Sequence, residues 1–171
     1  MGKRSITYIL VITILMTISW SCRRDEEYPI IPEITYDDFI LLLNTQTGII
    51  ERGVLKFSFK DGDGDIGLYQ SDTAPPYDFN LFIDYYEIQN RDTVQIYLID
   101  PTSGDTSTFN ARIPILTPRG SDKSIKGEIE DTLFIYDPTS AFDTIMFKVY
   151  LVDRALHKSN VIQTPLIRRS L

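Results

Sequence analysis

The chain has 171 residues, with 17 Lys and Arg against 24 Asp and Glu, a net charge of −7, one cysteine and one histidine. The acidic balance argues against a nucleic-acid partner and against electrostatic adhesion to anionic lipid. A single cysteine excludes an intramolecular disulfide, and one His with one Cys is too few for a His/Cys zinc site.

Lys3 and Arg4 open the chain and are followed by an apolar run from Ile6 to Trp20. The run is about 15 residues long, within the range of a signal peptide and short of the roughly 20 residues that span a bilayer as a helix. Ser21 then precedes Cys22, where a lipoprotein signal peptidase requires a small side chain. Residues 1–21 therefore read as a lipoprotein signal peptide and Cys22 as the lipid-carrying first residue of the mature chain. Ser19 and Trp20 depart from the usual lipobox, so an ordinary secretory signal and a retained anchor are the alternatives. In an exported protein a lone thiol is a hazard unless it has a use, and thioether lipidation supplies one. Each buried methylene contributes about 0.8 kcal/mol, so two or three acyl chains hold a protein on a membrane almost irreversibly. Loss of Lys3 and Arg4 with the leader takes the charge from −7 to about −9.

Residues 22–32 read as the lipidated cysteine and a tether, charged in Arg23-Arg24-Asp25-Glu26-Glu27 and stiffened by Pro29 and Pro32. Acidic residues closely following the cysteine resemble the export signal of Bacteroidota surface lipoproteins. That resemblance implies an outer-membrane, cell-surface location.

Residues 33–171 read as one all-β domain. From Gly53 to Lys60 the chain alternates strictly, with Leu55, Phe57 and Phe59 on one face and Lys56, Ser58 and Lys60 on the other. Further β-rich segments cover residues 34–44, 79–90, 93–100, 108–116, 124–135, 143–153 and 160–168, separated by turn clusters rich in Gly, Pro, Asn and Asp. In the segment from 143 to 153, Ile145, Phe147, Val149 and Leu151 share a face. No segment has a helical period. Seven or eight short strands over this length predict an antiparallel immunoglobulin-like sandwich, with a closed barrel as the alternative.

The passage that departs from ordinary strand and turn chemistry is Asp61-Gly62-Asp63-Gly64-Asp65-Ile66-Gly67. Three carboxylates at alternate positions repel one another, and folding them into a compact loop raises at least one pKa unless a cation sits between them. Ca²⁺ suits such a loop, being hard, oxygen-seeking and tolerant of irregular geometry. The spacing resembles the start of an EF-hand, but Ile66 stands where that motif needs Gly and no helices are predicted to flank it. The expectation is a DxDxD calcium loop on a β scaffold. In an immunoglobulin-like sandwich the loop after the second strand and the hairpin before the last lie at the same end. Asp153 and Asn160 in that hairpin are therefore further candidate ligands, and Glu33, with Asp37, less direct ones. The site would lie at the end where the tether enters.

The segments FKDGDGDIGL (59–68) and VDRALHKSNVIQTP (152–165) together resemble small, largely uncharacterised Bacteroidota lipoproteins. That likeness implies an immunoglobulin-like fold and an envelope location, and it carries no activity with it.

Enzyme motifs are weak. Asp153, His157 and Ser159 hold the letters of a hydrolase triad, but they are crowded into one hairpin with no nucleophile elbow. Gly62-x-Gly64-x-x-Gly67 spells GxGxxG in an acidic setting that would repel phosphate. Nothing singles out a catalytic carboxylate pair. The reading is a non-enzymatic, membrane-anchored envelope module with a calcium loop, binding another envelope protein. The alternative is a glycan-binding lipoprotein serving a polysaccharide uptake system, with Tyr69, Tyr77, Tyr85 and Tyr86 as candidate stacking platforms. Alternation places Tyr85 and Tyr86 on opposite faces, so only one of them can belong to the core.

Overall fold

A computed structural model describes residues 27–99, 106–117 and 124–170, together with Gly2 and Gly104; the expected signal peptide and Cys22 lie outside the described residues. The strands, in chain order, are β1 (Glu33–Leu43), β2 (Ile50–Asp61), β3 (Leu81–Gln89), β4 (Asp92–Gln95), β5 (Leu98–Ile99), β6 (Thr106–Ser107), β7 (Ile125–Phe134), β8 (Thr144–Leu151), β9 (Ile162–Gln163) and β10 (Ile167–Arg168). Among the described residues no helix is long and apolar enough to cross a membrane.

Two antiparallel sheets carry the fold. One has the order β1-β2-β7, the other β10-β8-β3-β4 with β9 also paired to β8; β5 and β6 form a separate two-stranded ribbon. This is the strand order of an immunoglobulin-like sandwich in which β9 and β10 together make a broken last strand. The sheets stay separate rather than closing into a barrel.

Period-two alternation sets which side chains meet between the sheets. Leu55, Phe57 and Phe59 of β2 face Ile83 and Tyr85 of β3 and Ile145, Phe147, Val149 and Leu151 of β8 in one buried cluster. Phe147 is its hub. Its ring centroid lies 5.7 Å from Phe39 of β1, 5.5 Å from Tyr85 of β3 and 5.5 Å from Phe109, which follows β6. Phe39, paired with Leu55, lays its ring over Gly53 two positions along β2, and it reaches the core because that glycine has no side chain: a Cβ there would stand 2.1 Å from the Phe39 ring.

Three predicted strands are interrupted, each for an identifiable reason. Residues 108–116 contain Pro114 and pair only in isolated bridges, Ala111 with Leu81 and Pro114 with Leu68. Side chains complete the pairing there: the Ile83 N–H donates to Asn110 Oδ1 (3.0 Å), and the buried amide of Asn80 exchanges two hydrogen bonds with the Ile113 backbone (2.7 and 3.1 Å). Residues 160–168 break at Thr164-Pro165, where the Phe147 N–H donates to the Thr164 hydroxyl (3.0 Å) in place of a backbone partner. Residues 93–100 divide at Ile96-Tyr97 into β4 and β5.

Truncating the hub tests this packing. Phe147→Ala should lower the unfolding free energy by about 3–5 kcal/mol, as for other buried aromatic-to-alanine changes, in equilibrium denaturant titration. A loss below about 1 kcal/mol would mean that the sheets are held together elsewhere.

Candidate metal centre

β2 delivers the acidic loop. Its last residue, Asp61, is still paired with Ile125 of β7 and is fully buried. The chain then turns sharply, and the Asp65 N–H donates back to Asp61 Oδ2 at 2.9 Å. One carboxylate oxygen from each of Asp61, Asp63 and Asp65 can be chosen so that all lie within 4.8 Å of one another. The Oδ1 atoms of all three residues are buried without a hydrogen-bond partner among the described residues.

The hairpin from 153 to 160 closes the loop from the other side. The Arg154 N–H donates to the Asp65 carbonyl (3.3 Å), and the Ala155 N–H to Asp65 Oδ2 (3.0 Å). The Thr117 hydroxyl donates to the Gly64 carbonyl. Arg154 spends its guanidinium on the Gly67 carbonyl (3.2 Å) and lies over the Tyr69 ring.

The chain entering β1 seals the remaining side. The Gly62 N–H donates to the Pro29 carbonyl at 2.7 Å, and a Cβ at Gly62 would stand 2.3 Å from the Tyr28 carbonyl oxygen. Gly62 is thus needed for close approach of the incoming segment. The Tyr28 ring lies beneath the ammonium groups of Lys60 and Lys126, at 5.9 and 5.7 Å.

The electrostatics are those of three carboxylates crowded together and partly desolvated. Burial, then the charges of Asp63, Asp65 and Asp153, push the Asp61 carboxyl up to about 6. Asp65 is raised by burial first and then by Asp153 and Asp63, with the Ala155 N–H and Arg154 opposing. An ion at the unpartnered oxygens would remove both costs. The donor set is all oxygen, which suits a hard divalent cation.

The other expected ligands are placed differently. Asp153 is buried beside the cluster, but its carboxylate accepts from the His157 N–H (2.7 Å) and meets His157 Nδ1 at 2.9 Å. Asn160 is committed to β1: its Oδ1 accepts from the Ile34 N–H and its Nδ2 donates to the Ile34 carbonyl, both at 2.8 Å. Its amide thus fastens the first strand to the last hairpin instead of joining the acids. Glu33 opposes Lys60 in the ladder, and Asp37 accepts both its hydrogen bonds from Ser58 on the solvent side (2.9 and 2.7 Å). Arg154, Thr117 and the Tyr28–Pro29 backbone complete the surroundings. Only Gly62 hinted at that close approach in the sequence.

In the Asp153, His157 and Ser159 group, the carboxylate meets the imidazole and the hydroxyl is engaged elsewhere. Ser159 accepts from the Leu151 N–H (2.9 Å) and donates to the Asn160 carbonyl (2.8 Å), so its hydroxyl holds backbone. The four tyrosines form no common platform. Tyr69 and Tyr77 lie near Arg154, Tyr85 is in the core, and Tyr86 is on the outer face of β3 beneath Lys148.

Comparison with known proteins found no matching family model, no matching curated protein and no matching solved structure.

The raised pKa of Asp61 gives a pH signature in the metal-free protein. The folded-state value near 6 lies above the ordinary 3.8, so the folded form holds a proton that the unfolded chain releases. The resulting destabilisation is absent below about pH 4, grows between about 4 and 6, and is complete above 6. With chelator present, wild-type protein should lose stability across that window more steeply than Asp61→Asn. Equal slopes in chemical denaturation would show that Asp61 is not charged against its surroundings.

Proposed function

We propose that the chain is a lipid-anchored, non-enzymatic envelope module whose DxDxD loop binds Ca²⁺ and thereby stiffens the end of the domain nearest the membrane. The observation that carries the metal reading is the set of three buried, unpartnered carboxylate oxygens on Asp61, Asp63 and Asp65. A solvated acidic turn would point these atoms at water. Here the loop is fenced by the 153–160 hairpin and the incoming chain, so desolvated charges face one another at short range. Calcium fits better than magnesium because the ligands come from an irregular loop, whereas Mg²⁺ demands near-ideal octahedral geometry.

The anchoring reading rests on the sequence: a basic start, a short apolar run and Ser21-Cys22. The acidic residues after Cys22 favour the outer face of the outer membrane. β1 begins at the end bearing the acid cluster, since Glu33 pairs with Lys60 next to Asp61. A tether from Cys22 therefore enters beside the loop, and calcium would set the angle at which the domain leaves the membrane. A sandwich held in this way presents its opposite end to an envelope protein or polysaccharide.

Calcium at about a hundredfold excess over its Kd should raise the melting midpoint by about 5–10 °C relative to chelator. Asp63→Asn combined with Asp65→Asn should abolish the shift. A wild-type midpoint that is the same in EDTA and in millimolar Ca²⁺ would reduce the loop to an acidic turn. The anchor is tested separately by intact mass spectrometry of the protein extracted from membranes. The expected product begins at residue 22 and carries acyl mass; an unmodified thiol or an attached leader would refute it.

A further inference from the structure

The sandwich has a second built feature, far from the acid cluster. Leu81 of β3 pairs with Leu151 beside the cluster, whereas Tyr85 and Glu87 pair with Phe147 and Ile145 at the opposite end. There, where the edge strands β7 and β4 of the two sheets end and the segments 135–139 and 96–97 follow them, lies a cleft of about 440 Å³. That volume is within the range of roughly 300–1,000 Å³ that holds small ligands.

The floor is rigid, because Tyr85 and Phe109 are fixed against Phe147. The mouth is aromatic and uncovered: Phe134 is 52% and Tyr97 65% exposed, with Tyr136 between floor and rim. Asp137 and Thr139 supply the polar rim, and the Thr139 hydroxyl donates to Asp137 Oδ1 at 2.6 Å. The Thr139 hydroxyl and backbone donors keep the Asp137 carboxyl below its ordinary value. It is therefore a charged acceptor at neutral pH.

The cation in the cleft is not available to a ligand. Arg169 is buried, and its guanidinium bonds Glu87 (2.7 Å), the Phe142 carbonyl (3.0 and 3.1 Å) and the Ile135 carbonyl (3.3 Å). An anion would meet Asp137 and a guanidinium already neutralised by Glu87. The single rim carboxylate accepts from Thr139 through Oδ1 and keeps acceptor capacity for a hydroxyl donor. A neutral ligand with apolar faces and hydroxyl edges suits the site best, the faces stacking on exposed rings and the hydroxyls donating to the rim carboxylate.

We infer that the cleft between β7 and β4 binds a neutral saccharide, with Tyr97 and Phe134 stacking on pyranose faces and Asp137 accepting from sugar hydroxyls. This site is separate from the acid cluster and does not depend on calcium.

The test uses the full-length lipidated chain in detergent and calorimetric titration with soluble oligosaccharides. The neutral panel comprises α-glucan, β-glucan, mannan and xylan fragments; oligogalacturonate and choline serve as charged comparisons. The expected result is binding of at least one neutral fragment, weakened about tenfold by Tyr97→Ala and by Phe134→Ala. Both side chains are exposed, so the melting midpoint should not move, and EDTA should leave the affinity unchanged. The inference is overturned if no neutral fragment binds at millimolar concentration, or if only the charged compounds bind. It is also overturned if both substitutions leave the affinity intact, or if EDTA abolishes binding, which would place the sugar at the acid cluster.

Discussion

Phe147 is the contact on which the rest of the molecule depends. It sits near the middle of β8, and its ring meets side chains from β1, from β3 and from the irregular segment after β6. Two twisted sheets stay aligned only if their inner faces interdigitate. Here the interdigitation is aromatic at its centre and aliphatic toward the ends, where Leu55, Val149, Leu151 and Ile145 fill the space. Because this hub fixes the relative position of the sheets, the loops at either end are held by something rigid. Those ends are where the chain buries charge.

The two ends handle that charge in opposite ways. At the end bearing the cleft, Glu87 and Arg169 are both buried and neutralise each other at 2.7 Å, with Tyr85 and Gln89 donating to the carboxylate. Both members of that pair are satisfied within the chain, as a buried ion pair requires if it is to be tolerated. At the other end Asp61, Asp63 and Asp65 are gathered without such a partner among the described residues, and the Arg154 guanidinium bonds a backbone carbonyl. The charge that Arg169 supplies to Glu87 within the chain would be supplied to the acid cluster by the proposed Ca²⁺.

The incoming chain gives this arrangement a mechanical meaning. Pro29 accepts from Gly62, so the backbone leading into β1 is hydrogen-bonded to the loop itself. Asn160 ties the same strand to the last hairpin through Ile34. The loop is therefore coupled to the segment before β1 through a hydrogen bond between Gly62 and Pro29. The hairpin clamp holds the strand behind it in place.

Strand content and core faces were legible in the residues, because period-two alternation in β2 and β8 is a local property that burial turns directly into an inner and an outer face. The DGDGDIG loop was legible for a similar reason: three like charges on adjacent alternate positions are a conflict wherever the chain puts them. What could not be read were roles set by pairs far apart in sequence. Asn160 looked like a ligand until Ile34, 126 positions away, took its amide. Arg169 and Glu87 are 82 apart, and nothing local distinguishes them from solvated surface charges. The cleft exists only because β7 and β4 become the outer edges on one side of the sandwich. By itself the sequence determined the strands, their faces and the acidic turn, since these follow from neighbours along the chain. Which polar groups were paired and which left bare was decided only when the sheets closed, because hydrogen-bond partners and counter-charges are set by distance in space.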